Sequence, residues 1–198
     1  MIAIFDLKTG NISSLKKVLD HLNIDNYICD DPDQLNKADK IIIPGVGSFD
    51  NFMLQLEFKD TIDQLKYQIL TKEKPFLGIC MGMQILLESS EEGIQKGLGF
   101  IKGRVKKLDN KLNNRIPHMG LNFAEPIKDN NLISSNKEIF YFLHSYYSSV
   151  EEDCVIATTN YGNKFPSIIG KKNIFGVQFH PEKSQKSGKI LLENFNKL

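Results

Sequence analysis

The chain has 198 residues, 41% of them hydrophobic and 25% charged, with a formal net charge of +1 at pH 7. That length supplies a substantial core, and the composition is that of an ordinary soluble globular protein. A near-zero charge leaves no positive field to gather nucleic acid, which argues against a polyanion binder.

Residues 1–5 are too short for a signal sequence before Asp6, and no apolar run approaches the ~18 residues of a spanning helix. Three widely spaced cysteines, Cys29, Cys80 and Cys154, suit a reducing compartment and carry no metal signature. The expectation is a cytoplasmic protein with no membrane contact and no metal.

In chain order, short β-type runs alternate with amphipathic segments, which predicts an α/β domain around a largely parallel sheet. Residues 2–5 read as the first strand, and Ile12, Leu15, Leu19 and Leu22 mark one face of the first helix. A second strand falls at 27–29. A third, at 40–44, is apolar from Ile41 onward, as expected where both faces of a sheet are covered. A long helical stretch over 52–70, a fourth strand over 76–79 and a helix opening over 83–88 follow. Beyond about residue 97 the texture becomes β-rich, with runs at 100–108, 139–143, 155–159, 168–170 and 174–179 before a closing helix at 189–196. With no repeat and no low-complexity linker, residues 1–198 are expected to form a single domain.

The fourth strand enters Gly78-Ile-Cys80-Met-Gly82. A turn from buried strand to helix exposes its tip at the carboxyl edge of the sheet, where open α/β sheets bind ligands. Gly-x-Ser-x-Gly is the hydrolase form of this elbow, and here sulfur replaces oxygen. A helix starting after Cys80 would favour the thiolate through its N-terminal charge, and the Met81 N–H is a natural oxyanion donor. A lone cysteine in such a turn is more often structural; the strand before it and the helix after it shift the reading to a nucleophile.

A thiolate nucleophile needs a base and a group that orients it. His21 sits on a polar helix end. His180 is the better candidate, because an apolar strand delivers it, Pro181 stops the ladder and Glu182 follows two residues on. The chemistry predicted is acyl transfer by thiol, imidazole and carboxylate.

Three segments together resemble the triad-type (class I) glutamine amidotransferases: Ile43-Pro-Gly-Val-Gly47, Leu77-Gly-Ile-Cys-Met-Gly-Met-Gln84 and Gln178-Phe-His-Pro-Glu182. The resemblance implies a flavodoxin-like open sheet, mostly parallel and flanked by helices, with additional antiparallel strands in the C-terminal half. It makes Cys80 the nucleophile, His180 the general base and acid, and Glu182 the orienting carboxylate. Gly45, Val46 and Gly47 would form the oxyanion strand beside Met81, and Gln84 would touch L-glutamine, the substrate.

Met83, Ile116-Pro-His-Met-Gly120 and Tyr141-Phe-Leu-His-Ser-Tyr146 narrow the likeness to the branch of glutaminase subunits of imidazole glycerol phosphate synthase. For that branch the resemblance implies ammonia transfer to a separate (β/α)8-barrel cyclase subunit, the backbone of Ser145 and Tyr146 near the substrate carboxylate, and no cofactor. His144 has a structural role in this reading. Asn11, Pro117, His118, Met119, Leu121 and Lys183 fall at positions near the mouth that faces the partner. His118 could equally fix its own loop, and Lys183 could be an exposed charge.

Two departures concern that mouth. Leu121 stands where the branch usually has Trp, and Asp6-Leu-Lys-Thr-Gly-Asn11 lacks the usual aromatic and one glycine of the first turn. A paralogous glutaminase that feeds an amidotransferase of surface-sugar (amidino sugar) biosynthesis is therefore an alternative partner assignment. An elbow-cysteine protein with a redox or non-catalytic role would need neither Gln84 nor the His180–Glu182 pair. Anthranilate or nucleotide synthesis fits poorly with Met83.

Overall fold

The structure, a computed structural model, describes residues 1–8, 12–58, 61–109 and 115–198. Its first half runs β1 (Ile2–Phe5), α1 (Ile12–His21), β2 (Asn26–Cys29), β3 (Lys40–Gly45), α2 (Phe49–Phe58), α3 (Thr61–Lys66), β4 (Phe76–Cys80) and the single turn α4 (Met81–Gln84). The second half holds β5 (Ser89–Ser90), β6 (Gly103–Lys107), β7 (His118–Pro126), β8 (Glu138–His144) and β9 (Tyr146–Val150). It closes with β10 (Val155–Tyr161), β11 (Asn163–Lys171), β12 (Ile174–Val177) and α5 (Gln185–Lys197).

Nine strands form one sheet in the order β2-β1-β3-β4-β12-β11-β10-β7-β8. From β2 to β12 neighbours are parallel, and from β12 to β8 they are antiparallel. The expected α/β sheet, parallel with an antiparallel C-terminal extension, is therefore present. A smaller sheet, β5-β6-β9, stands beside it.

Alternation along the parallel strands divides the core in two, because successive side chains point to opposite faces. Phe5, Ile41, Ile43 and Phe76 pack with Phe49 and Phe52 of α2. Ile4, Ile42, Leu77 and Ile79 pack with Leu15 and Leu19 of α1 and with Leu192 and Phe195 of α5. Among the described residues no helix is long and apolar enough to cross a membrane.

Two predicted helices are corrected. The stretch 52–70 divides into α2, α3 and a π-helical turn, Tyr67–Thr71, in which the Lys72 N–H reaches the Tyr67 carbonyl. The helix expected over 83–88 stops at Gln84. Ile85, Leu86 and Leu87 are buried, and their carbonyls accept from the N–H groups of Leu98, Ile101 and Gly99 respectively. An incoming chain thus takes the acceptors a continuing helix would use. Strands β7 and β9 were not foreseen.

The elbow itself is compressed. A methyl group on Gly78 would lie 2.1 Å from the Gly82 carbonyl oxygen, and one on Gly82 would lie 1.9 Å from that of Ile43. Both obstructions are backbone atoms, so neither can swing away. Gly78→Ala is expected to lower stability by about 3 kcal/mol or more in urea unfolding, at the upper end of overpacking costs. A loss below about 1 kcal/mol would contradict this packing.

Candidate active site

β4 delivers Cys80 at the carboxyl edge of the sheet, between β3 and β12. The residue adopts φ +55° and ψ −104°, a conformation that L-residues rarely take. Strain of this kind is held by surrounding packing and clusters at functional sites. The Cys80 side chain is only 6% exposed, yet it lines a cleft of about 280 Å³. Because α4 is one turn long, the field expected at the sulfur comes from the first N–H groups of that turn rather than from a long helix dipole.

Sheet register places the other groups. Gly45 pairs with Cys80 across β3 and β4, which brings Val46 and Gly47 to the cleft wall. On the other side Val177 of β12 pairs with Ile79, so the chain leaving β12 reaches the same edge at His180. The His180 N–H donates to the Tyr141 carbonyl at 2.8 Å, and its own carbonyl accepts from the Ser184 hydroxyl at 2.6 Å. Its ring Nδ1 lies 2.9 Å from Glu182 Oε1.

His180 is buried, and among the described residues its Nε2 makes no hydrogen bond of ordinary geometry. Burial alone would lower the pKa of this imidazole. The Cys80 sulfur and the Glu182 carboxylate outweigh it and raise the value to about 10. The ring is therefore held as an imidazolium between two acidic groups.

Of the other expected residues, Met81, Gln84, Pro117, Ser145 and Tyr146 line the cleft with Cys80, Val46 and Gly47. Met119 and Leu121 are 66% and 62% exposed on one face of β7, and Lys183 is exposed with its ammonium 5.6 Å from the Tyr141 ring centroid. His118 does not join that surface. It is buried between the rings of Phe142 and Tyr161, so it offers no area to a partner. Asn11 lies outside the described residues.

Three cleft contributors were not singled out from the sequence. Glu92 lines the wall while one of its oxygens accepts the Phe49 N–H at 2.8 Å. The Leu143 carbonyl lies 3.8 Å from the Cys80 sulfur, and Gln178 Nε2 lies at the same distance. Gln178 and Leu143 carried a signal, since each sits inside a segment that bears the family resemblance, whereas Glu92 did not.

The chain matches the family model described as glutamine amidotransferase class-I over residues 3–198. It belongs to that family. Relatives named imidazole glycerol phosphate synthase subunit HisH match along the whole of this chain and 96–100% of their own length. The Campylobacter jejuni protein named HisH 1 is 47% identical over 201 residues, covering 100% of both chains. The Methanocaldococcus jannaschii HisH is 46% identical with 100% coverage of both, and that of Bacillus subtilis is 40% identical, covering 100% of this chain and 96% of its own. Among solved structures, a glutamine amidotransferase superposes with a TM-score of 0.78 at 18% identity, covering 99% of this chain and 97% of its own. The glutaminase domain of Trypanosoma brucei CTPS with bound acivicin gives 0.61 at 14% identity, covering 99% and 93%.

The histidines of this amidotransferase make its stability depend on pH in opposite directions. Above pH 6.5 the folded His180 keeps a proton that the unfolded ring gives up, so stability falls by about 1.4 kcal/mol per unit up to about pH 10. Burial lowers the pKa of His118 to about 4 and that of His144 to about 3. Below pH 6.5 the unfolded chain takes up protons that these rings refuse, so each contributes a similar loss on acidification. Urea unfolding across pH should show His180→Asn removing the alkaline slope and sparing the acid one. An alkaline slope unchanged by that substitution would contradict the raised pKa.

Proposed function

We propose that this chain is the glutaminase subunit of an imidazole glycerol phosphate synthase, hydrolysing glutamine through Cys80 and handing ammonia to a cyclase subunit in histidine biosynthesis. The observation that carries the reading is the convergence of a strained cysteine, a histidine locked to a carboxylate and a substrate-sized cleft at one sheet edge. Full-length likeness to proteins bearing that subunit's name supports the pathway.

In the first half-reaction the Cys80 thiolate attacks the glutamine carboxamide carbon. The oxygen that becomes negative is stabilised by N–H groups of Met81 and of the 46–47 segment. Imidazolium His180 gives its proton to the departing nitrogen, the C–N bond breaks, and ammonia leaves a γ-glutamyl thioester on the sulfur. His180, now neutral, takes a proton from water as it attacks the thioester; glutamate departs and the thiolate returns. Glu182 stabilises the imidazolium and holds its Nδ1 proton. Glu92 and the unpartnered oxygen of Gln84 supply negative character for the substrate's α-ammonium.

Ammonia released into water becomes ammonium and ceases to be a nucleophile, so the mouth must be covered. Strand β7 offers the surface on which a covering partner would seat. Met119, Leu121 and Phe123 all face solvent, paired across the hairpin with Leu143, Tyr141 and Ile139 of β8. Apolar side chains exposed in a row mark an interaction surface. The row continues into the cleft at Leu143 and Pro117, which suits the (β/α)8-barrel cyclase that the family resemblance implies. Leu121 keeps this surface apolar without the usual Trp, and the full-length likeness to HisH-named relatives favours the histidine-pathway partner over an amidino-sugar synthase.

Cys80→Ala should bring glutamate release to background while partner binding persists; appreciable residual turnover would remove Cys80 as nucleophile. Loss of His180 should cost roughly 10²–10⁴-fold in kcat, and Glu182→Gln less. The reverse order of effects would overturn the assigned roles. Leu121→Asp should weaken cyclase binding by about 10- to 100-fold, as expected for an interface anchor, without changing the fold. Unaltered affinity, read by calorimetric titration, would move the docking face elsewhere.

A further inference from the structure

A second polar system reaches the sulfur through Gln178 rather than through His180. It starts on β7, and its direction follows from backbone atoms that admit only one role. The Tyr146 carbonyl can only accept, so His144 Nδ1, 2.8 Å away, carries the ring proton. That leaves Nε2 of the neutral ring as a lone pair, and His118 Nδ1, 3.0 Å away, donates to it. His118 Nε2 is then an acceptor, and Asn122 Nδ2 lies 3.2 Å from it.

The outer end gives the same polarity independently. Asn122 Oδ1 accepts the Phe123 N–H at 2.8 Å, and Asn122 Nδ2 also donates to the Asn160 carbonyl at 3.1 Å. The amino end of this amide therefore faces His118. Both rings are buried, and His118 is stacked on Phe142 and Tyr161 with centroids 4.7 and 3.9 Å away.

Tyr146's carbonyl takes a second hydrogen bond, from Gln84 Nε2 at 2.9 Å. The same nitrogen donates to Gln178 Oε1 at 3.2 Å, leaving Gln84 Oε1 buried and without a partner among the described residues. With its oxygen engaged, Gln178 directs Nε2 at the Cys80 sulfur. The two ends of an amide are nearly isosteric, so only hydrogen bonds decide which way each points.

We propose that His118 and His144 are positioning residues: by anchoring the Tyr146 carbonyl they fix the Gln84 and Gln178 amides, so that Gln84 offers oxygen to the substrate's ammonium and Gln178 offers an N–H to the sulfur. This rests on the glutaminase reading above. Without His144, one of the two donors to the Tyr146 carbonyl is gone, and a reversed Gln84 would point its NH₂ at the ammonium and turn Gln178's oxygen to the thiolate.

The test compares His144→Phe with His144→Asn in the full chain bound to its cyclase. Asn carries an amide nitrogen where His carries Nδ1, so it can still donate to Tyr146. The expected result is a fall in kcat/KM of about 100-fold for Phe, corresponding to two buried hydrogen bonds at roughly tenfold each, and recovery to within about fivefold for Asn. Equal losses in two folded variants, or no loss in either, would overturn the proposal.

A spectrum of the unaltered chain covers the case in which His144→Phe does not fold. Side-chain ¹⁵N NMR at neutral pH should show both rings as Nδ1–H tautomers, and an Nε2–H tautomer at His144 would equally overturn it. Absence of any glutamate release by the unaltered complex would instead count against the glutaminase reading, and the tautomers would still be readable.

Discussion

The architecture depends on one close contact, the approach of Gly82 to the carbonyl of Ile43. With no room there for a methyl group, the chain leaving β4 is pressed against β3, and Cys80 is held at a positive φ over the sheet edge. Parallel register then does the rest. β3, paired on one side, ends at the 46–47 segment, and β12, paired on the other, leads to His180. The 46–47 segment, Cys80 and His180, the proposed oxyanion wall, nucleophile and proton carrier, are brought side by side by three adjacent strands of one sheet. The site therefore needs little help from mobile loops to set its coarse geometry.

Electrostatics refines that geometry in two opposite ways. On the His180 side, a carboxylate and a sulfur overcome burial and keep a proton on the ring. On the His144 side nothing opposes burial strongly enough, and both rings stay neutral with lowered pKa values. Two pairs of polar groups at comparable depth thus differ because only one of them contains anions. In the proposed reaction the charged side moves protons and the neutral side holds amides in place.

Much of this was legible in the sequence where one physical rule dominated. The runs that became β1, β3 and β4 are apolar, save for Lys40 at the start of β3, because helices cover both sheet faces, and the spacing of Gly78, Cys80 and Gly82 announced the elbow. Sequence reading failed where tertiary contacts overrode local pattern. Residues 85–87 looked helical, but they are buried and spend their carbonyls on residues 98–101. β7 went unseen because its alternation is inverted, with Met119, Leu121 and Phe123 outward and His118 and Ala124 inward. That inversion can be recognised only once the core side of the strand is known, and it is what the proposed docking surface rests on. Glu92 had no motif to mark it, and Leu143, though inside the 141–146 segment, was passed over because its contribution is a backbone carbonyl.

The most direct measurement is to mix the complex with glutamine, quench within the turnover time and map any acyl adduct by mass spectrometry. A γ-glutamyl thioester on the peptide carrying Cys80, and on neither Cys29 nor Cys154, is the predicted result. Sustained glutamate release with no adduct on Cys80, or with the adduct on another cysteine, would contradict the account.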